Sequence, residues 1–399
     1  MKPTARRIFI VAGEHSGDLL GGKLMAALKA KSEYPIVFTG VGGETMEAEG
    51  LHSIFPLADV AVMGPLAILA RLPKLVRRVY QAVGAGLDAD PDGVIIIDSP
   101  EFTHPIAKRI RKKRPNVPII DYVSPSVWAW RPGRAKKMRP YVDHLLAILP
   151  FEPEAHQRLG GPPCTYVGHP LIEKLDWIRG LNAGELAARL GLDPAKPVLL
   201  VLPGSRPTEV RRLMEPFGGA VKLLIERLGP LEVIIPAVDS VRPLIEAALP
   251  GWPVEPHLVS GETDKFKAFR LAKAALAASG TVTLELGLSG VPMAVAYKVD
   301  WVASRLRFLL KVPSIVLANL VIGENVFPEF IQEDCTPEQL ADALSPLLSD
   351  TPERRLQLDG LERIAGRMLL GDTTPSQRAA ETAMDIIDSG IKKRLTVSN

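Results

Sequence analysis

Ile8-Phe9-Ile10-Val11-Ala12-Gly13-Glu14-His15-Ser16-Gly17-Asp18 is the stretch from which the fold follows. Its first five residues carry no charge and suit a strand buried on both faces, the kind that belongs to a parallel sheet covered by helices on either side. Glycines at 13 and 17 then allow a tight turn, and Leu19–Lys31 has the length and composition of a helix. The same change from short apolar run to longer helical pattern recurs down the chain. In the first half the strand candidates are Ile8–Ala12, Ile36–Gly40, Val94–Asp98, Ile119–Val123 and Leu145–Leu149, separated by helical segments such as Pro105–Lys113. The pattern pauses from about residue 160 to residue 196, where Gly160-Gly161-Pro162-Pro163 and Gly168-His169-Pro170 break the chain. It restarts with Val198–Leu202, Val233–Pro236, Ala274–Ser279 and Met293–Tyr297, with helices over Thr208–Arg227 and Thr281–Ser289. Such alternation predicts an α/β protein of two Rossmann-like, doubly wound lobes facing across a cleft. The expected boundaries are 1–168 for the first lobe, 169–365 for the second and 366–399 for C-terminal helices. Those helices either cross back to the first lobe or exchange with the partner of a homodimer.

Composition narrows the class. The 399 residues are 47% hydrophobic and 23% charged, which is globular and enough for two cored domains. With 48 basic against 45 acidic residues the net charge is +3, so no global field of the kind nucleic-acid binding uses is present, and anion binding must be local. Two cysteines, Cys164 and Cys335, make no disulfide framework, and the 7 histidines are scattered, so a reducing compartment and no Cys/His metal site are expected. Met1–Arg7 is basic, but the apolar run after it is too short for a signal core. The uncharged stretch Val60–Ala70 is 11 residues long, against the roughly 20 that a bilayer span requires.

In open α/β sheets ligands bind beyond the carboxyl ends of the strands, so the residues after each strand are read most closely. Gly13–Asp18 offers close backbone approach and a helix start, though its spacing is not that of a dinucleotide fingerprint, and an ordinary strand-to-helix turn would also explain it. Asp98 ends a strand where a general base belongs, and partial burial would raise its pKa; capping the helix near Pro105 is the competing reading. Asp88-Ala89-Asp90 has the form of a metal-binding pair but precedes its strand, at the wrong edge of the sheet. Tyr122–Arg131, with Ser124, Ser126, Trp128 and Trp130, suits either sugar stacking or buried packing. In the second half Pro203-Gly204-Ser205-Arg206 supplies glycine, hydroxyl and guanidinium at a helix start, parts that hold a diphosphate without metal; an Arg206–Glu209 pair is the alternative. Ala277–Glu285 is a second such junction, where Glu285 could accept from a diol. From Val60 to Tyr80, Leu66, Ile68, Leu69, Leu72, Leu75 and Val76 are interleaved with Arg71, Lys74, Arg77 and Arg78, a pattern suited to an anionic lipid interface or to core packing of one apolar face. Lys108–Arg114 carries six basic residues in seven and reads as a solvated helix end.

Taken in order, Ala12–Asp18, Asp98–Phe102, Tyr122–Trp130, Val167-Gly168-His169-Pro170, Leu202–Arg206 and Ala278-Ser279-Gly280-Thr281 closely resemble the lipid-A-disaccharide synthase family, from residue 8 to about residue 340. His15 departs from the small residue common there. The resemblance implies an inverting glycosyltransferase of GT-B architecture, working without metal or other cofactor. It would act at the cytoplasmic face of the inner membrane of a Gram-negative bacterium. Its donor would be UDP-2,3-diacylglucosamine and its acceptor 2,3-diacylglucosamine 1-phosphate, lipid-linked substrates joined β-1,6 with release of UDP. Asp98 would then be the base. Gly204, Ser205, Arg206, Ser279, Gly280, Thr281 and Glu285 would hold UDP, with Asn319, Glu324, Glu329 and Gln332 on the donor side, where a hinge loop fits equally well. Gly13, Glu14, Ser16, Gly17, Asp18, Ser124, Ser126 and Trp128 would face the acceptor. Leu66, Leu69, Leu72, Leu75 and Met214 would touch the membrane. The rivals are a UDP-N-acetylglucosamine 2-epimerase-like enzyme, which leaves the apolar basic stripe unexplained, and a non-catalytic nucleotide-binding peripheral membrane protein.

Overall fold

The computed structural model describes residues 5–61, 65–299 and 312–397, with the side chains of residues 65–70, 395 and 397 left aside. The chain divides into two compact units, Met1–Glu173 with Leu370–Asn399, and Lys174–Leu369.

The first unit is built on strands β1 (Arg6–Ala12), β2 (Ile36–Val41), β3 (His52–Ser53), β4 (Gly93–Ile97), β5 (Ile119–Tyr122), β6 (His144–Ala147) and β7 (Cys164–Tyr166). They pair in parallel in the order β3-β2-β1-β4-β5-β6-β7. Ile8 through Ala12 and all of β4 are buried, so apolar runs without alternation become the middle of a sheet covered on both faces. The second unit holds β8 (Val198–Leu202), β9 (Glu232–Pro236), β10 (His257–Val259), β11 (Ala274–Ala278), β12 (Met293–Tyr297) and β13 (Glu329–Ile331), again parallel, in the order β10-β9-β8-β11-β12-β13. Strand order therefore reverses between β1 and β4 in one sheet and between β8 and β11 in the other. At such a point the connections leave to opposite faces and open a crevice at the carboxyl ends.

Glu173 accepts from Lys23 Nζ at 2.5 Å and from the Ser376 N–H at 2.8 Å. These bonds tie the segment after the Gly168 breaker to the first unit, so the division falls at 173/174 and not at 168/169. The helices Pro337–Leu344 and Pro352–Met368 stay with the second unit, where Leu340, Ala341 and Leu344 are core and Gln357 bonds both backbone groups of Met293. Only after Leu370 does the chain return. The helix Pro375–Val397 lays Ala379, Ala380, Ala383 and Ile387 into the core formed by Ile8, Ile10, Leu24 and Leu28. Small residues let it approach the His15–Lys31 helix closely, and Ile387 is its largest fully buried anchor.

Truncating that anchor leaves a cavity under β1 and β4. Ile387→Ala is expected to destabilise the first unit by about 2–5 kcal/mol, read as a lowered midpoint of its unfolding transition in denaturant.

Candidate active site

The β1–β4 crevice brings Gly13 and Glu14 beside Asp98 and Ser99, all lining a cavity of about 620 Å³. Gly13 is required there because a Cβ would overlap the Ser99 side chain. Asp98 and Ser99 both have left-handed backbone, φ +50° and +44°, a conformation that costs of order 1–3 kcal/mol per residue and persists only when its surroundings impose it. They do so here. The Asp98 N–H donates to the Tyr122 carbonyl at 3.0 Å, Thr103 Oγ1 donates to the Asp98 carbonyl at 2.7 Å, and the Ser99 N–H donates to Asp98 Oδ1 at 2.7 Å. The helix Pro100–Lys113 starts directly after this turn, five residues earlier than the Pro105 start read from the sequence, because Ser99 occupies the N-cap position and Pro100 suits the first turn. The Asp98 carboxylate is therefore no cap for a distant helix. Burial, and next to it the negative charge of Glu14, raise its pKa to about 6. Ser16 Oγ in turn donates to Glu14 Oε1 at 2.5 Å.

Apart from Glu101 and Arg109, the rest of this cavity is apolar. The helix Pro65–Asp88 buries Val79, Ala82 and Val83 in the core and leaves Leu72, Val76 and Tyr80 exposed by 47%, 46% and 58%. These three recur every fourth residue, so they form one stripe, and with Leu75 and Phe102 they wall the cavity. Leu75 is half-buried against the core, so the exposed stripe runs from Leu72 through Val76, both in the apolar pattern read from the sequence, to Tyr80 at the end of that stretch. The side chains of Leu66 and Leu69 lie outside the described residues. Met214, expected at the membrane, is instead 3% exposed and packed with Leu213 and Phe217 in the second core; it falls on the inward face of the helix Pro207–Leu228.

The other residues expected on the acceptor side lie elsewhere. The buried Asp18 carboxylate accepts the N–H groups of Gly43, Thr45 and Met46 at 2.7–3.1 Å and so anchors the loop after β2. Gly17 is buried inside the His15–Lys31 helix. Ser124 Oγ meets His156 Nε2 at 2.6 Å in the interior, and Trp128 Nε1 donates to Glu152 Oε1 at 3.1 Å. Ser126 is exposed. None of these lines the Asp98 cavity. Asp90 pairs with Arg7 and Arg114, which makes the carboxylates before β4 a structural corner.

The β8–β11 crevice in the second unit opens a cavity of about 720 Å³ lined by Gly204, Ser205, Arg206, Ser279, Gly280, Thr281 and Glu285. Gly204 has φ +109°, and a Cβ there would sit 2.5 Å from Glu209 Oε2. Glu209 accepts the N–H groups of Ser205 and Arg206 and pairs with Arg206 Nη1 at 2.8 Å, so the Arg206–Glu209 contact exists and presents the loop at the start of a 22-residue helix. The Arg206 side chain remains 70% exposed and free to reach a ligand. Ser279 Oγ is engaged with the Ile315 carbonyl at 2.7 Å. Lys265, which no motif announced, lies on the helix Glu262–Leu271 and donates to both Glu285 oxygens at 2.9 and 3.0 Å.

Asn319, Glu324, Glu329 and Gln332 do not line this cavity. Asn319 is buried, bonding the Phe327 carbonyl and the N–H groups of Val326 and Phe327; Glu329 accepts from Ser314 Oγ and the Ile315 N–H; Gln332 accepts from the Val299 N–H; Glu324 pairs with Arg363. Their polar atoms shape the loop that delivers Ile315 and Leu317 to the cavity wall.

The first unit thus offers a strained, partly desolvated carboxylate, and the second a glycine-bearing helix start with an exposed guanidinium, the kinds of feature that mark candidate sites. Comparison with known proteins bears on their chemistry. The Lipid-A-disaccharide synthetase family model matches residues 8–380. The lipid-A-disaccharide synthase of Rhodopseudomonas palustris (strain HaA2) is 50% identical over 386 residues, 96% of this chain and 96% of that one. Among solved structures, the UDP-GlcNAc 2-epimerase from Neisseria meningitidis bound to UDP-GlcNAc aligns with TM-score 0.63 at 12% identity, covering 96% of this chain and 100% of that one. A glycosyltransferase from Rickettsia africae ESF-5 aligns with TM-score 0.61 at 11% identity, covering 98% and 99%. At these identities the two structures establish the GT-B fold alone, whereas the family match decides between the epimerase and transferase readings. The chain belongs to the lipid-A-disaccharide synthase family, glycosyltransferases of lipid A biosynthesis.

Proposed function

We propose that this enzyme joins UDP-2,3-diacylglucosamine to the 6-hydroxyl of 2,3-diacylglucosamine 1-phosphate, with inversion and release of UDP. The observation that carries the reading is Asp98 in a largely apolar cavity walled by the Leu72–Val76–Tyr80 stripe, with Glu14, Glu101 and Arg109 as its other charged lining. A hydroxyl beside Asp98 and an acyl chain along the stripe would be held together, each buried methylene contributing about 0.8 kcal/mol. As the acceptor oxygen bonds to the anomeric carbon, its proton passes to Asp98. The sugar–phosphate bond breaks, and its electron pair leaves with UDP. Charge gained by the departing diphosphate would meet Arg206, the Lys265 ammonium and the N–H groups around Gly280 and Thr281. These cations serve where other transferases use a metal, so the reaction is read as metal-free. Glu285, steadied by Lys265, would accept from the ribose hydroxyls.

Among the described residues no helix is long and apolar enough to cross a membrane. An exposed apolar stripe flanked by the exposed side chains of Arg71 and Arg77 suits peripheral contact with anionic lipid, and membership of a lipid A biosynthesis family is the ground for reading that surface as the cytoplasmic face of the inner membrane.

Asp98→Asn should lower kcat by about 10²–10⁴ while UDP still binds by calorimetry; near-normal turnover would remove Asp98 from the role of base. Because the base must be ionised, kcat/KM should rise with pH through about 6 and level off above it. Glu14→Gln removes a neighbouring negative charge, so this acid limb should move to lower pH. A limb that stays in place would detach Glu14 from the site. Leu72→Ser with Val76→Ser should release the protein from anionic phospholipid vesicles in a sedimentation assay, leaving its thermal unfolding unchanged.

A further inference from the structure

A second cavity, of about 590 Å³, adjoins the Asp98 cavity and shares Pro100, Glu101 and Pro105 with it. Its lining differs in kind, with Lys108, Arg131, Arg134 and Lys137 set against the single carboxylate of Glu101. Arg134 already holds Glu101 at 2.6 Å, which leaves an excess of three positive charges. Aromatic rings hold two of the cations. Lys108 Nζ lies 4.9 Å from the Tyr141 ring centroid, and the Arg131 guanidinium lies 4.1 Å from that of Trp130. Arg131 also has left-handed backbone, φ +53°, an arrangement that costs energy for a residue with a side chain. Beneath them Tyr141 Oη lies 2.9 Å from His104 Nδ1, a buried bond that fixes the phenol at the cavity wall, while the Asp121 carboxylate stands 3.2 Å from His104 Nε2 without hydrogen-bond alignment.

We infer that this basic cavity binds the anomeric phosphate of the acceptor. The inference rests on the acceptor reading above and extends it to a separate set of residues. Like charges gathered in a concave site repel one another unless an anion neutralises them, and two guanidiniums among them suit the several oxygens of a phosphate monoester. The placement supplies the orientation. An acceptor sugar lying over Pro100 and Glu101, the wall common to both cavities, carries its phosphate on C1 and its 6-hydroxyl on the exocyclic carbon of C5, so the two groups project separately from the two carbons that flank the ring oxygen. Seating the phosphate among Arg131, Lys137 and Lys108 turns the hydroxyl toward Asp98. A sugar without that phosphate gains no such orientation, so the cavity selects the acceptor as well as holding it.

The test is Arg131→Gln with Lys137→Gln, both exposed positions, assayed with the acceptor and with the same acceptor lacking its phosphate; Lys113→Gln, on the same basic run but outside the cavity, is the charge control. Wild-type enzyme should favour the phosphorylated acceptor. The double variant should lose at least about tenfold more kcat/KM on the phosphorylated acceptor than on the other, since each bond to a charged group is worth about a factor of ten. KM for the UDP-sugar and sedimentation with anionic vesicles should be unchanged, and Lys113→Gln should behave as wild type. Equal losses on both acceptors would overturn the assignment, as would a parallel loss of vesicle binding, which would give these cations to lipid headgroups. Turnover of neither acceptor by the wild type would refute the acceptor reading itself, and the subsite with it; turnover of both alike would refute the subsite alone.

Discussion

The reversal of strand order in each parallel sheet is the constraint on which the rest depends. A parallel strand must be followed by a crossover, and where consecutive crossovers go to opposite faces the sheet is left uncovered at its carboxyl edge. The β1–β4 gap puts Gly13 against Ser99, and the β8–β11 gap puts the Gly204 loop near Gly280. Residues far apart in sequence become neighbours without any dedicated domain to hold them.

One environment in the first unit has two effects. The apolar wall that would accept a fatty chain also withholds water from Asp98, and desolvation is the largest cause of its raised pKa. A carboxylate in full solvent would be a weaker base, ionised but unready to hold a proton. On the proposed reading, lipid binding and base strength are thus coupled through the same side chains. A substitution that made the groove polar would be expected to touch both.

The interior of each sheet is legible from sequence because a strand buried on both faces needs an unbroken apolar run. Ile8–Ala12, Val94–Ile97 and Ala274–Ala278 could hardly be anything else. The strands absent from that reading are the edges β3, β7, β10 and β13, each two or three residues long and partly exposed, too short for any period to show. The functional turns follow the same division. Asp98 and Arg206 stand directly after central strands and were legible by position. Lys265 sits on a helix whose pattern is unremarkable, and only the fold brings it to Glu285. Met214, Trp128 and Asn319 have the right chemistry for a surface or a ligand, but which way a side chain points is settled by packing, which takes Met214 and Asn319 into the interior and half-buries Trp128 against Glu152.

The two sites also differ in where they carry backbone strain, and chemistry explains the difference. In the second unit the positive φ falls on Gly204, a residue that adopts it without steric penalty. That suffices, because what the loop offers there is room and the exposed Arg206 side chain, its own N–H groups being held by Glu209. In the first unit the turn itself must carry a reactive carboxylate, so glycine cannot stand at position 98 and the left-handed conformation is forced on Asp98 and Ser99. Bonds from Thr103 and to Tyr122 offset the strain. Asp is among the side chains that tolerate this region best, and its short reach keeps the carboxylate at the mouth of the crevice. Glutamate would move the oxygens outward and relieve nothing. The strained turn is the geometry by which a buried sheet can end in an acid that faces the crevice.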